Sequence, residues 1–123
     1  MNEPSSLNPA AIERLCHLGG EAFASKMIVL FLGYGATKIA EARQAQQAGN
    51  LVALAEAAHP IKSSAGNVGA ERVQELAALL EQTARQQQGE LANAQLGELE
   101  RAFAVAKSQL EKEKAKLASS PSG

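Results

Sequence analysis

Residues 51–70 read LVALAEAAHPIKSSAGNVGA, and this stretch predicts both a helix and the side that the helix buries. Asn50, just before it, suits the N-cap position, and Gly69, near its end, suits a helix stop. Apolar residues recur in it at three- and four-residue steps, which is the period of an amphipathic helix: Leu51, Leu54, Ala58, Ile61, Ala65 and Val68. We therefore expect this helix to pack one side against a core.

His59 lies away from that apolar stripe. At roughly 100° of rotation per residue, its direction differs by about 130° from the common direction of the stripe. Lys62, Ser63 and Gly66 follow it at helical spacing and so share its face. The sequence thus predicts an exposed imidazole beside a cation, on a strip of small side chains.

The rest of the chain is also predicted to be helical. Only 3% of the residues are aromatic, and the abundant Ala, Leu, Glu, Gln and Lys favour helix over strand. Asn8-Pro9 starts a short N-terminal helix that Gly19-Gly20 ends. Further helices are predicted over residues 21–47, 71–88 and 91–117. We expect an all-α fold, an antiparallel up-down-up-down four-helix bundle with a short extra N-terminal helix.

Length and composition limit the organisation and the function. The 123 residues suit one domain, with a flexible N-terminus over 1–7, the helical bundle over 8–117 and a disordered tail over 118–123. A net charge of −1, without basic patches among aromatic residues, argues against nucleic-acid binding. The single Cys16 excludes an internal disulfide and a CxxC metal site. The most apolar run, 27–32, is too short to span a bilayer, so we expect a cytoplasmic protein without membrane contact. We also expect a monomer.

The run HPIKSSAGNVGA, from His59 to Ala70, resembles the signature of histidine-containing phosphotransfer (HPt) domains, approximately His-x-Leu-Lys-Gly-Ser-Ser/Ala-Ala-Asn-Leu-Gly-Ala. The similarity extends over residues 8–117 and includes Leu80-Glu81. It implies a phosphorelay intermediate. His59 would accept a phosphoryl group from a receiver-domain aspartyl phosphate and pass it to another receiver.

The resemblance also implies roles around the histidine. Lys62 would stabilise the phosphoryl oxygens, and Ser63, Gly66, Glu56 and Ala55 would belong to the surface that docks a receiver. Response-regulator receiver domains, and a hybrid sensor kinase, are the expected partners. The receiver would supply the aspartate and Mg²⁺, so no cofactor or metal is expected in this chain.

The residue chemistry agrees with that implication. Neutral imidazole is a nucleophile near neutral pH, and a nearby cation favours a phosphoryl group in transfer. The sequence offers no obvious general base beside His59. This pattern favours a phosphocarrier that its partner completes over a self-contained enzyme.

Two residues depart from the HPt pattern. Ser63 stands where the family often has Gly. Pro60 has no N–H to donate to the Glu56 carbonyl, and it disfavours helical geometry at His59. We therefore expect a local kink or widened turn at the site.

Other interpretations remain at this stage. Pro60 motivates a helical module that binds receiver or kinase domains without phosphorylation. A metal-dependent bundle enzyme is less consistent, because the Glu-x-x-His pair at Glu56 and His59 has no second copy. Glu56 is a candidate to orient the His59 ring. Glu81 and Arg85, on the next helix, could border the site, but we interpret them as solvated residues.

Overall fold

The computed structural model describes residues 7–119, and these residues form four helices. The helices are α1 (Pro9–Gln47), α2 (Leu51–Asn67), α3 (Glu71–Arg85) and α4 (Gly89–Ser119). Between residues 7 and 119 there is no strand beyond an isolated bridge of Leu7 with Ala70. The predicted all-α class is confirmed.

Helix α1 is divided by a break at Gly20, whose φ of 89° and ψ of 177° lie outside the helical region. Its first turn has the predicted cap, since the Asn8 side chain accepts a hydrogen bond from the Ala10 N–H and Pro9 follows. The expected short N-terminal helix is therefore present as the segment before Gly20. The expected second helix follows it and ends at Gln47, as predicted.

Helix α2 begins after Asn50, whose side chain accepts from the Ala53 N–H at 3.0 Å, as the sequence predicted. The helix then continues through Pro60 to Asn67. Pro60 therefore does not end the helix, and the expected local kink or widened turn at the site stays a prediction. Loss of one backbone donor is tolerated there because the apolar side of α2 is held by packing, with Ala58 and Ile61 fully buried.

Each of the four helices makes its main contacts with two neighbours. The contacting pairs are α1 with α2, α2 with α3, α3 with α4, and α1 with α4. Three connections of three residues each link consecutive helices. The largest fully buried side chains come from all four helices and from the turn after α2, and they form one core: Ile28, Leu54, Ile61, Val68, Val73, Leu80, Leu96, Leu99 and Leu110.

Helices α1 and α4, the first and the last of the four, also contact each other. Phe31 and Phe103 pack with their ring centroids 5.7 Å apart. Gly35 lies against Phe103, where an added Cβ would be 2.6 Å from a ring carbon. At the surface, Arg43 donates through Nε to Glu100 Oε2 at 3.0 Å. Both an aromatic contact and an ion pair thus connect these two helices.

The N-terminal segment crosses the turn between α2 and α3. The Asn8 N–H donates to the Gly69 carbonyl at 2.8 Å, and the Asn8 side chain donates to Glu71 Oε2 at 3.0 Å. Gly69 has a φ of 76°, and a Cβ added there would lie 2.5 Å from the backbone carbonyl oxygen of Asn8. This turn therefore needs glycine for its backbone conformation and for the close approach of the N-terminal segment.

These contacts adjust the domain boundaries that we expected. Leu7 was grouped with the flexible segment 1–7, but it packs partly buried against the core. Helix α4 extends through Ser119, two residues into the expected tail 118–123. The remainder of both predicted flexible segments, 1–6 and 120–123, lies outside the described residues.

Helix α1 is long and apolar enough, by length and composition alone, to cross a membrane. The core helix of a soluble protein can be equally long and apolar. In this fold α1 is interrupted at Gly20 and packs against α2 and α4. Its apolar residues are divided between that packed side and an exposed side with Val29, Leu30 and Tyr34.

Replacement of Gly69 by Ala tests the turn. We expect Gly69→Ala to destabilise the fold by about 1–3 kcal/mol, because it adds strain at a positive φ and a clash with Asn8. The measurement is the free energy of unfolding in urea.

Gly33→Ala is the matched control. Gly33 lies inside α1 with open space around an added Cβ, so alanine should stabilise the fold by up to about 1 kcal/mol. Equal effects of the two substitutions would contradict a special role for the turn.

Candidate functional site

His59 lies on the exposed side of α2. Its side chain is 62% exposed, whereas Leu54, Ala58 and Ile61 on the opposite side are fully buried. The exposure that helical phase predicted for His59 is confirmed.

The imidazole contacts a carboxylate from the neighbouring helix. His59 Nδ1 lies 2.9 Å from Oε2 of Glu81 on α3. The same carboxylate accepts from Lys62 Nζ, on α2, at 2.6 Å to its Oε1. Arg85, one turn later on α3, donates from Nη2 to Oε2 at 2.8 Å. Three basic side chains thus converge on one carboxylate, and we call these four residues the Glu81 cluster.

Glu81 is buried, which our sequence interpretation missed. Its side chain is only 10% exposed, so the expectation of a solvated residue is wrong. A signal was present in the sequence, because Glu81 stands between Ala77 and Ala84 of the buried stripe on α3. A carboxylate that close to an apolar stripe needs partners of opposite charge. The sequence alone did not show that α2 supplies two of them.

The charges around Glu81 determine its ionisation. Burial raises the pKa of the Glu81 carboxyl, but hydrogen bonds from Lys62, Arg85 and His59 outweigh burial and lower that pKa from 4.5 to about 2. Glu81 is therefore ionised at neutral pH and can only accept hydrogen bonds. Consequently, Nδ1 of His59 carries the ring proton and donates a hydrogen bond to Glu81.

The other ring nitrogen of His59 has no such contact. Between residues 7 and 119, Nε2 has no hydrogen-bond partner, and the ring is largely exposed. When the imidazole is neutral, a proton on Nδ1 leaves the lone pair on Nε2. The geometry thus presents a nucleophilic nitrogen to solvent, beside two cations and one carboxylate.

The remaining predicted site residues differ in exposure. Ser63 and Glu56 are exposed on the same side of α2 as His59. Glu56 does not hold the imidazole; the carboxylate bonded to the ring is that of Glu81. Gly66 is half-buried, and an added Cβ there would lie 2.8 Å from Nε2 of Gln74 on α3. The missing side chain of Gly66 therefore lets α3 pack closely beside the site.

Ala55 is not part of an accessible surface. It is 0% exposed, which contradicts its predicted role in docking. On helical phase Ala55 lies between His59 and Lys62, on the side where Lys62 reaches Glu81 of α3. A methyl group is too short to extend past the neighbouring helix, so it is covered, whereas the longer Lys62 side chain remains one-third exposed.

Two different surfaces border the exposed strip of α2. Toward α1 there is a mainly apolar groove of about 140 Å³, lined by Met27, Leu30, Phe31, Tyr34, Ser64, Asn67 and Val68. Toward α3 there is a more polar groove, lined by Lys62, Ala78, Glu81, Gln82, Arg85 and Gln86. The site is thus apolar on one flank and charged on the other.

Metal-binding side chains do not gather anywhere in the part of the chain that the structure describes. No group of three or more His, Cys, Asp or Glu residues in it has the proximity that a metal ion requires.

Comparison with known proteins places this site in a family context. The family model for the Hpt domain matches residues 26–115. Among solved structures, the fold is similar to the crystal structure of histidine-containing phosphotransfer protein B (HptB) from Pseudomonas aeruginosa PAO1, with a TM-score of 0.86 and 24% sequence identity. That match covers 93% of this chain and 98% of the other. A search of curated proteins gave no match.

Removing the charge of Glu81 should lower stability in a pH-dependent way. At about pH 7 we expect Glu81→Gln to cost about 1–2 kcal/mol, because charge-assisted hydrogen bonds are lost and their cationic partners are partly solvated. Ionised Glu81 stabilises the wild type fully above its unfolded pKa near 4.5. That contribution is lost as pH falls toward the folded pKa of about 2.

The measurement is urea unfolding of both proteins from about pH 7 down to about pH 3. The difference between them should be constant above about pH 5 and shrink below it. The control is Glu75→Gln, which neutralises an exposed glutamate on the same helix. A difference that does not shrink in acid would contradict the ionised cluster.

Proposed function

Because the chain belongs to the Hpt domain family and so has a phosphotransfer role in two-component signalling, we propose that His59 is its phosphoryl acceptor. In this proposal His59 receives the phosphoryl group from a receiver-domain aspartyl phosphate and passes it to another receiver. The observation that carries the proposal is the exposed imidazole of His59, with Nδ1 bonded to Glu81 and Nε2 unpaired within the described residues.

The charges of the site support this chemistry. A phosphoryl group in transfer distributes negative charge over its equatorial oxygens, and nearby cations stabilise it. Lys62 and Arg85 bring two positive charges against the single charge of Glu81, so the Glu81 cluster has a net positive charge when His59 is neutral. Lys62 is one-third exposed, so its ammonium is accessible to phosphoryl oxygens while it remains bonded to Glu81.

We further propose that a receiver domain docks across α2 and its apolar flank. His59, Ser63 and Glu56 form the exposed strip, and Leu30 and Tyr34 of α1 lie beside it with 53% and 44% exposure. Exposed apolar side chains next to a reactive group are typical of a protein-binding surface. The strip presents no bulky side chain between His59 and Ser63, which favours close approach by a partner.

The proposal treats the chain as a phosphocarrier that its partner completes. The receiver contributes the aspartate and its Mg²⁺, and no cofactor is assigned to this chain. We place this phosphocarrier in the cytoplasm, where receiver domains and hybrid kinases act. We also propose that it is a monomer.

We also propose the antiparallel up-down-up-down arrangement for the four helices. The short connections between helices that contact each other support it, because three residues leave room for a reversal of direction and little else.

Substitution of His59 tests the acceptor. Incubated with a phosphorylated receiver domain, the wild type should acquire an acid-labile label and His59→Gln should acquire none, because glutamine has no nucleophilic nitrogen. The measurement is transfer of radiolabelled phosphate, resolved by gel electrophoresis.

His17→Gln is the matched control, because His17 is the second histidine of the chain and is exposed on α1 outside the site. It should be labelled like the wild type. Label retained in His59→Gln would refute the acceptor assignment. Equal receiver binding by wild type and His59→Gln, with no label on either, would instead favour the phosphorylation-independent binding module.

A charge placed on the apolar flank tests the docking surface. Leu30→Glu should lower the rate of phosphotransfer at subsaturating receiver by about tenfold, because a carboxylate would have to be desolvated in the interface. Leu91→Glu is the control, since Leu91 is a similarly exposed leucine on α4. Equal rates for both variants would place the docking surface elsewhere.

A further inference from the structure

We propose that Glu56 recognises a basic side chain of the docked receiver. Its carboxylate pairs with a Lys or Arg of the partner, and its backbone carbonyl accepts one of the N–H groups of that same side chain. This inference rests on the proposed function and adds to it the charge that a receiver must bring to the surface around His59.

Glu56 lies on the exposed strip of α2, three residues before the proposed acceptor. At this spacing Glu56 and His59 share one face of the helix, and both are exposed. Between residues 7 and 119, the carboxylate of Glu56 has no hydrogen bond and no ion pair. A receiver that docks over His59 therefore covers an unpaired negative charge, which is unfavourable unless the partner brings a positive one.

The basic side chains on either side of the strip bond to other carboxylates. Toward α3, Lys62 and Arg85 both bond to Glu81. On α1, beside the apolar flank, Lys38 donates to Glu41 Oε1 at 3.1 Å. The positive charge that complements the strip must therefore come from the partner.

Pro60 creates a second acceptor at the same residue. In a regular helix the carbonyl of Glu56 accepts a hydrogen bond from the N–H of residue 60, four positions later. Proline has no N–H, so this carbonyl lacks its regular backbone donor although the helix continues through Pro60. A carbonyl in this position can accept from an outside donor, and a cationic N–H makes the stronger bond.

The position of Pro60 also points to a role outside the helix. Proline inside a helix lowers its stability, and Pro60 is only half-buried, whereas the neighbouring Ala58 and Ile61 supply the buried side. Residues that break a local rule without a gain in packing are typical of functional sites. Here the rule is broken one residue after the proposed phosphoryl acceptor.

One kind of side chain meets both needs of Glu56. A guanidinium or an ammonium is positively charged and carries several N–H donors. A neutral donor would satisfy the carbonyl but leave the covered carboxylate without a counter-charge. The chemistry of the surface thus selects receivers that present Lys or Arg at this point of contact.

Neutralisation of Glu56 tests the charge, because the two possible outcomes differ in sign. Glu56→Gln should slow phosphotransfer at subsaturating receiver by about three- to tenfold and weaken its dependence on salt. The rate at saturating receiver should stay close to that of the wild type. The Glu75→Gln control, on α3, should match the wild type throughout.

The opposite sign would overturn the inference. If no cation meets Glu56, its carboxylate only repels the phosphoryl group, and Glu56→Gln should leave the rate unchanged or raise it.

Substitution of Pro60 tests the carbonyl. Pro60→Ala restores the missing N–H, so it should make the chain more stable in urea and yet slow transfer at subsaturating receiver by about threefold. A loss of folding cannot explain a variant that is slower and more stable. Gly97→Ala is the control, because it should stabilise α4 with an ordinary contact of 3.6 Å to Arg101 Nη1 and keep the wild-type rate. Wild-type transfer by Pro60→Ala would overturn the role of the carbonyl.

The double variant tests whether one side chain makes both contacts. Glu56→Gln combined with Pro60→Ala should be slowed by less than the product of the two single effects, because both remove contacts with the same partner group. Effects that multiply independently would overturn the shared contact.

The outcomes separate this inference from the proposed function. If the wild type acquires no label on His59, the proposed function fails. If the wild type is labelled and Glu56→Gln transfers at least as fast, only the role of Glu56 fails.

Discussion

The hydrogen-bonded carboxylate of Glu81 is the contact on which the site depends. It lies beside the buried stripe of α3, yet it bonds to His59 and Lys62 from α2. One buried charge thus fixes the position of the His59 ring and ties together the two helices that form the candidate site. A buried carboxylate is stable only when its hydrogen bonds are satisfied, so the local fold and the local chemistry impose the same requirement.

Close packing of α2 and α3 brings Glu81 within reach. Gly66 has no side chain to hold Gln74 away, and Gly69 turns the chain sharply enough for α3 to return alongside α2. Asn8 of the N-terminal segment bonds to the Gly69 carbonyl and to Glu71. Residues distant in sequence from His59 therefore fix the turn that positions its carboxylate.

The sequence predicted the parts of this protein that depend on one helix at a time. Apolar periodicity gave α2 its buried side and His59 its exposure, and Asn50 marked where the helix begins. Features that depend on a neighbouring helix were not predicted correctly. Ala55 and Glu81 are both buried, although we expected them at the surface. Helical phase gives the direction in which a side chain leaves its own helix, but it does not show whether another helix lies in that direction. Helix α2 continues through Pro60, because packing of its apolar side outweighs the local preference of proline for a break.

The two flanks of α2 differ in the forces they offer a bound protein. In the proposed docking, contacts over Leu30 and Tyr34 would bury apolar surface, so their contribution to the binding free energy would carry a negative heat-capacity change and vary with temperature. Contacts near Lys62 and Arg85 are ionic, so dissolved salt screens them. If a receiver docks here as proposed, its affinity and the phosphoryl chemistry would respond to different solution conditions. A change in ionic strength would then alter phosphoryl transfer while leaving much of the apolar contact between the partners in place.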